Sequence, residues 1–179
     1  VDSLITLGSD NNIYGSTRYG GYKVLVLPTD IYSGCGTVFK FDTVTNNVTY
    51  LHIFSGQTYQ DGQAPNSPPI EIGSIFYGVT WEGGITTGVA SKGAGIMYTC
   101  DTFGDYGIIH KYDAITEGSQ PNSIIYATDG YIYGTFYYGY SFAGSIYRSD
   151  LFGNVTILKN FSGQTYGDGA YPISVIQGS

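Results

Sequence analysis

The sequence predicts an all-β protein made of three four-stranded, propeller-like blades with one spare strand. Three observations lead there. A short strand pattern returns three times: Asn12-Ile13-Tyr14-Gly15-Ser16-Thr17, Ile75-Phe76-Tyr77-Gly78-Val79-Thr80 and Tyr131-Ile132-Tyr133-Gly134-Thr135-Phe136. Self-similarity at a fixed period marks a repeat architecture. The composition, 27 glycines and 19 tyrosines among 179 residues with 12% charged, suits short strands and tight turns rather than helices. No apolar run is long enough to span a bilayer.

In the first copy, residues 1–64, Ser3 to Gly8 reads as a strand ending in the turn Ser9-Asp10-Asn11. The Tyr-Gly strand follows, then Gly20-Gly21 and a long loop to Gly34. Gly36 to Asp42 is the third strand, Thr43 to Asn47 polar turn material, and Val48 to Phe54 the fourth strand. The second copy, residues 65–120, opens at Pro65-Asn66-Ser67 and runs through Ile70–Gly73, the Tyr-Gly strand, Gly95–Asp101 and Gly107–Tyr112. The third, residues 121–171, opens at Pro121-Asn122-Ser123 and runs through Ile124–Ala127, the Tyr-Gly strand, Gly144–Asp150 and Val155–Phe161. Pro172-Ile173-Ser174 opens a fourth copy, residues 172–179, that stops one strand in. Four strands in roughly 50–65 residues is the size of a propeller blade.

The order Tyr-Gly-(Ser/Thr)-Thr, Gly-Gly, Gly-Thr-Val-Phe-Lys, Leu-His-(apolar)-Phe-Ser-Gly and Asp-Gly-x-x-Pro resembles the bacterial GloVer-type tandem repeat. Here those pieces are Tyr14–Thr17, Gly20-Gly21, Gly36–Lys40, Leu51–Gly56 and Asp61–Pro65. The third copy keeps Tyr133-Gly134-Thr135, Phe161-Ser162-Gly163 and Asp168-Gly169, with Gly139-Tyr140 in place of the glycine pair; the second lacks the Phe-Ser-Gly and Asp-Gly pieces. The resemblance implies a propeller-like fold in a secreted or surface-anchored repeat protein. It implies no catalytic residues.

Propellers close with four to eight blades. Three blades and one strand leave an incomplete ring with two unsatisfied edges, and edges rich in Ile, Val and Tyr pair with something. The expected partners are copies of the chain, in an oligomer or a filament, or further repeats of a longer chain. The Ile173–Gln177 strand is then free to add to a neighbour's first blade. The chain opens on Val1 without an initiator methionine or a signal peptide, which reads as a processed protein or a piece of a longer one.

Net charge is −7 and the sequence pI about 4.4. Seven scattered basic residues are too few for a nucleic-acid surface. An acidic, tyrosine-rich surface points weakly outside the cell. Cys35 precedes a third strand and Cys100 ends the equivalent one, so no bridge between them is expected. His52 and His110 align with each other, without metal ligands at suitable spacing, and read as outward-facing on outer strands. The aspartates fall in turns: Asp10, Asp42, Asp61, Asp101, Asp129, Asp150 and Asp168. No catalytic residue, metal site or cofactor is predicted.

Two sets of residues remain as candidate sites. The sequons at Asn47, Asn154 and Asn160 are glycosylation candidates, the first two at the same turn of two copies. Arg18-Tyr19, Trp81-Glu82 and Tyr137-Tyr138 follow the Tyr-Gly strand at equivalent loop mouths. They read either as packing between blades or as a ring-shaped patch that stacks on sugars. The expected function is a non-enzymatic extracellular structural or assembly module, glycosylated, with a carbohydrate-binding propeller as the alternative.

Overall fold

The structure is a computed structural model, and it describes residues 5–21, 34–56, 60–86, 90–139, 142–163 and 167–178. The long loop expected between Gly21 and Gly34 lies mostly outside the described residues. Among those described there is no helix; thirteen strands form three antiparallel sheets. Sheet one contains β1 (Ile5–Leu7), β2 (Ile13–Thr17), β3 (Thr37–Phe41) and β4 (Val48–Ile53), paired in chain order. Sheet two contains β5 (Gln63–Pro65), β6 (Ile70–Ile72), β7 (Ile75–Glu82), β8 (Ile96–Asp101) and β9 (Tyr106–Lys111), with β5 and β6 both on the edge of β7. Sheet three contains β10 (Ser119–Tyr126), β11 (Ile132–Tyr138), β12 (Ser145–Ser149) and β13 (Val155–Asn160). The sheets stack in order like consecutive blades of an incomplete propeller, and none closes into a barrel.

The register explains the recurring Tyr-Gly pair. Gly15, Gly78 and Gly134 stand directly across the ladder from Phe39, Tyr98 and Tyr147. The Tyr98 and Tyr147 rings lie over the glycine opposite, where a β-carbon would collide with them. Glycine in a strand interior marks such close approach.

Two cores lie between the sheets. Tyr14, Val38, Leu51 and Phe54 of sheet one pack on Phe76, Ile96, Tyr98 and Cys100 of sheet two. Tyr77, Val79, Met97 and Tyr112 of sheet two pack on Ile124, Ile132, Phe136 and Tyr147 of sheet three. The middle strands of sheet two, β7 and β8, therefore have a core on each face, which is why they are the most apolar of the strands.

Four differences from the sequence reading matter. The innermost strand of sheet three begins at Ser119 and bends through a bulge between Pro121 and Ser123. Its partner β11 is drawn out to Tyr138, as β7 is to Glu82 by pairing Gln63 with Glu82. Trp81, Glu82, Tyr137 and Tyr138 thus lie within strands rather than at loop mouths. The expected strand Ile173–Gln177 has no sheet partner, because no second strand stands beside it.

Candidate functional site

The strongest repeated constellation is the junction where one repeat hands over to the next. It begins with glycines at positive φ: Gly36, Gly95 and Gly144, at 97°, 97° and 91°. Each lies so close to the ring of the next repeat's opening proline (Pro65, Pro121, Pro172) that a β-carbon would strike the proline Cδ. Only glycine meets both demands. The residue before each proline also sits at positive φ, although none is glycine: Ala64 (54°), Gln120 (59°) and Tyr171 (55°). Their N–H groups donate to the carbonyls of Cys35 (2.8 Å), Ala94 (3.0 Å) and Ala143 (2.7 Å). Phe54, Tyr112 and Phe161 donate in turn to the carbonyls of Gly36, Gly95 and Gly144. Non-glycine residues hold that conformation only where the surroundings enforce it. The third junction, at Gly144, Tyr171 and Pro172, repeats all of these backbone contacts.

Side chains carry the junction across the molecule. The Arg18 guanidinium stacks on Trp81 at 5.0 Å, Trp81 meets Tyr137 at 5.5 Å, and Tyr137 stacks on Tyr171 at 4.6 Å. Arg18 Nη1 donates to Asn66 Oδ1, Asn66 Nδ2 to Asn122 Oδ1, and Asn122 Nδ2 to the Pro172 carbonyl. The structure therefore brings Arg18, Trp81 and Tyr137 into one continuous row. Tyr138 sits edge-on to Tyr137, Tyr19 lies under the Arg18 guanidinium at 5.9 Å, and Glu82 lies 3.8 Å from Lys92. Tyr137 and Tyr171 lie face to face, while Trp81 is tilted by 50° to Tyr137. A sugar stacks on an open aromatic face, and Tyr19 and Tyr171, 42% and 44% exposed, are the most open members.

A second constellation closes the outer edge. Asp61 accepts from Ser55 N and Oγ and lies 3.1 Å from His52 Nε2. Asp168 repeats this with Ser162 N and Oγ and with Lys159 Nζ at 2.9 Å. This is the chemistry of the Phe-Ser-Gly…Asp-Gly motif, whose glycines bridge as Gly56–Gly62 and Gly163–Gly169. Sheet two lacks the motif and substitutes Glu117, which accepts from Asp113 N and pairs with His110. Burial pushes the Asp61 carboxyl up, but the bonds from His52 and Ser55 outweigh it and hold the group below its ordinary value. Ser162 and Lys159 hold Asp168 well below its own.

Asp61 and Asp168 stand in bends of an outer loop, as the sequence suggests, and staple it. One expectation is corrected. The histidines do not face outward: His52, with a 19% exposed side chain, stacks on Tyr106 of the next sheet at 3.6 Å. The register shift at Val38/Phe39, a bulge, re-aims that part of β4. The other aspartates are turn formers. Asp42, Asp101 and Asp150 each accept two backbone N–H bonds in the third hairpin of their sheet.

Both cysteines are free. Burial raises the Cys35 thiol and pushes Cys100 up to about 12, so neither is a thiolate at neutral pH. Asn47, Asn154 and Asn160 are all exposed, although Asn154 Nδ2 donates to Asp150 Oδ2 at 2.7 Å. The repeated positive φ before each proline has no signature in the amino acids Ala, Gln and Tyr, and sequence reasoning missed it. The prolines themselves were the available signal.

Residues 2–179 match the family model described as the Gloeobacter/Verrucomicrobia repeat. No curated protein matches the chain.

Proposed function

The chain belongs to this repeat family along nearly its whole length, and on that premise we propose that it is a non-enzymatic, extracellular assembly module that builds larger structures by adding repeats end to end. One observation carries the reading. The apolar positions buried at both internal junctions are uncovered at the two ends of the stack. On sheet one, Val48 and Tyr50 are exposed where their counterparts Val155 and Ile157 pack into the second core. On sheet three, Leu158 is 47% exposed where its counterpart Leu51 is 8%. Exposed apolar faces of this kind mark interaction surfaces.

The remaining chemistry supports a structural role. His52 and His110 are tied to carboxylates, both thiols stay protonated, and the repeated carboxylates are engaged in turns or staples. The exposed sequon asparagines Asn47 and Asn154, on one hairpin position of two sheets, support a glycosylated surface outside the cell. The carbohydrate-binding alternative has less support, since the Arg18–Trp81–Tyr137 row packs on itself. Sedimentation velocity over a wide concentration range tests the assembly reading. Growth of the sedimentation coefficient with concentration is expected; a single monomeric species throughout overturns it.

A further inference from the structure

Residues 171–177 run against sheet three with no ladder partner among the described residues. Tyr171 donates to the Ala143 carbonyl, Pro172 packs on Gly144, and Asn122 Nδ2 holds the Pro172 carbonyl at 2.9 Å. Further on, Gln177 Oε1 accepts from Thr128 N at 3.0 Å, and its Nε2 donates to Thr128 Oγ1 at 2.6 Å. The first junction contains the same clasp: Glu71 Oε2 accepts from Ser9 N at 2.7 Å and Oε1 from Ser9 Oγ at 2.6 Å. Ser9 and Thr128 occupy matching places after the first strand of their sheets, and Glu71 lies on the innermost strand of sheet two. Residues 172–177 are therefore clasped in the place that an innermost strand takes in the first junction.

Among the described residues no second strand lies beside them. In the first junction the second strand of sheet two lays Phe76 over Tyr14 at 3.9 Å; in the second, the counterpart Ile132 is buried in one core with Tyr77. Tyr133 is the counterpart of Tyr14 and Tyr77. Over it lies a groove of about 350 Å³ bounded by Ile125, Ala127, Tyr133, Val175 and Ile176. Thr128, Asp129 and Gln177 complete its wall, and its apolar part has the size to seat an Ile or Phe side chain from a second strand.

The first sheet supplies such a residue. Ile13 is the counterpart of Phe76 and Ile132 but lies outside both cores. Its edge strand β1 is short, with Ile5 52% and Leu7 69% exposed. Resting on the assembly reading above, we propose that copies of this chain join head to tail by strand replacement. The tail of one copy takes the place of β1 in the first sheet of the next, and Ile13 of that copy enters the groove over Tyr133.

The register follows from the repeat. Ile125, four residues after Pro121, pairs with Tyr133. Ile176, four residues after Pro172, then pairs with Tyr14 of the incoming copy, Val175 with Gly15 and Gln177 with Ile13. The rim of the new junction differs from the internal ones. The β3–β4 hairpin of sheet one has six residues, 42–47, against five in 101–105 and 150–154. It also lacks the glycine that at Gly104 and Gly153 lies on the carbonyls of Leu51 and Ile109. The joint therefore closes on the inner and middle strands. Because this interface is heterologous, it propagates into open chains of copies.

Two measurements on the full chain test the joint. Ile176→Pro removes a ladder N–H from a segment that donates none within the described copy, so the monomer keeps its fold; circular dichroism checks this. Sedimentation velocity is expected to show that the concentration-dependent growth of the unaltered chain is lost in Ile176→Pro. Separately, an Ile13→Cys chain mixed with a Gln177→Cys chain is oxidised, and mass spectrometry is expected to find a disulfide between positions 13 and 177 of different copies. Growth that survives Ile176→Pro, with no 13–177 linkage, overturns strand replacement and leaves the assembly reading standing. A chain that never associates overturns both.

Discussion

The two internal junctions share one backbone frame and fill it differently. Between sheets one and two the contact is tethered by polar side chains. Thr6 Oγ1 donates to the Pro69 carbonyl, Ser16 Oγ to the Ser67 carbonyl, Ser9 to Glu71, and Tyr106 OH to the Asp61 carbonyl. Between sheets two and three the core is drier: Val79, Met97, Ile124, Ile132 and Phe136 surround a phenol pair, Tyr112 OH donating to Tyr147 OH at 3.0 Å. The backbone pattern, set by glycine, proline and the positive-φ residue, tolerates either filling. The difference teaches that the repeat specifies where the sheets sit, while each seam chooses its own mixture of apolar and polar contact.

The contrast is most sharply broken at Phe136, which packs on Tyr112 at 4.8 Å and Tyr147 at 4.5 Å in the drier seam. Phe136→Ala is expected to destabilise the protein by about 4 kcal/mol in urea unfolding, because a fully buried aromatic ring is removed from between two others. A loss under about 1 kcal/mol would mean the seam is plastic. Next come the glycines beneath the tyrosines. Gly78→Val and Gly134→Val each force a ring out of place and are expected to cost about 3 kcal/mol, alike in both seams because the ladder geometry is shared. A large disparity between the two would show that the sheets are not equivalent.

Tyr98 and Tyr147 are equivalent residues with different hydroxyl fates. Tyr147 accepts from Tyr112, whereas the buried Tyr98 hydroxyl has no partner. Tyr147→Phe is expected to cost about 1.5 kcal/mol by stranding the Tyr112 hydroxyl, and Tyr98→Phe about zero or a slight gain. Thermal denaturation of both variants side by side reads the difference, and equal effects would remove this distinction between the seams.

The smallest expected effect is acid sensitivity. Burial raises the Asp10 carboxyl, but bonds from Asn12, Tyr14 and Lys40 outweigh it, and the group, like Asp61, lies below the ordinary 3.8 in the folded state. A depressed carboxyl stabilises fully above its unfolded value and loses that contribution as pH falls toward its folded one. Below about pH 4, amides of β1 and β2 are therefore expected to lose hydrogen-exchange protection before those of β7 and β8. Simultaneous loss would mean these carboxylates do not distinguish the seams.

Much of the fold was legible in residue order. The Tyr-Gly pairs located the second strands, and the aspartates at 42, 101 and 150 located the third hairpins, because local backbone demands leave local signatures. The candidate row was half legible: the equivalence of Arg18, Trp81 and Tyr137 could be read, but not that they stack on each other, which depends on the distance between sheets. The inward turn of His52 was hidden because a bulge shifts the side-chain alternation without changing composition. The clasp of Gln177 on Thr128 was hidden because its two halves are far apart in sequence and resemble Glu71 and Ser9 only in geometry.

By itself the sequence determined the all-β class, the threefold recurrence and the position of each hairpin, since glycine, proline, asparagine and aspartate act within a few bonds of where they stand. Only the tertiary structure decided which apolar faces are covered and which end faces remain open. Coverage depends on a neighbouring sheet, and whether a neighbour exists at an end is not written into the residues that would touch it.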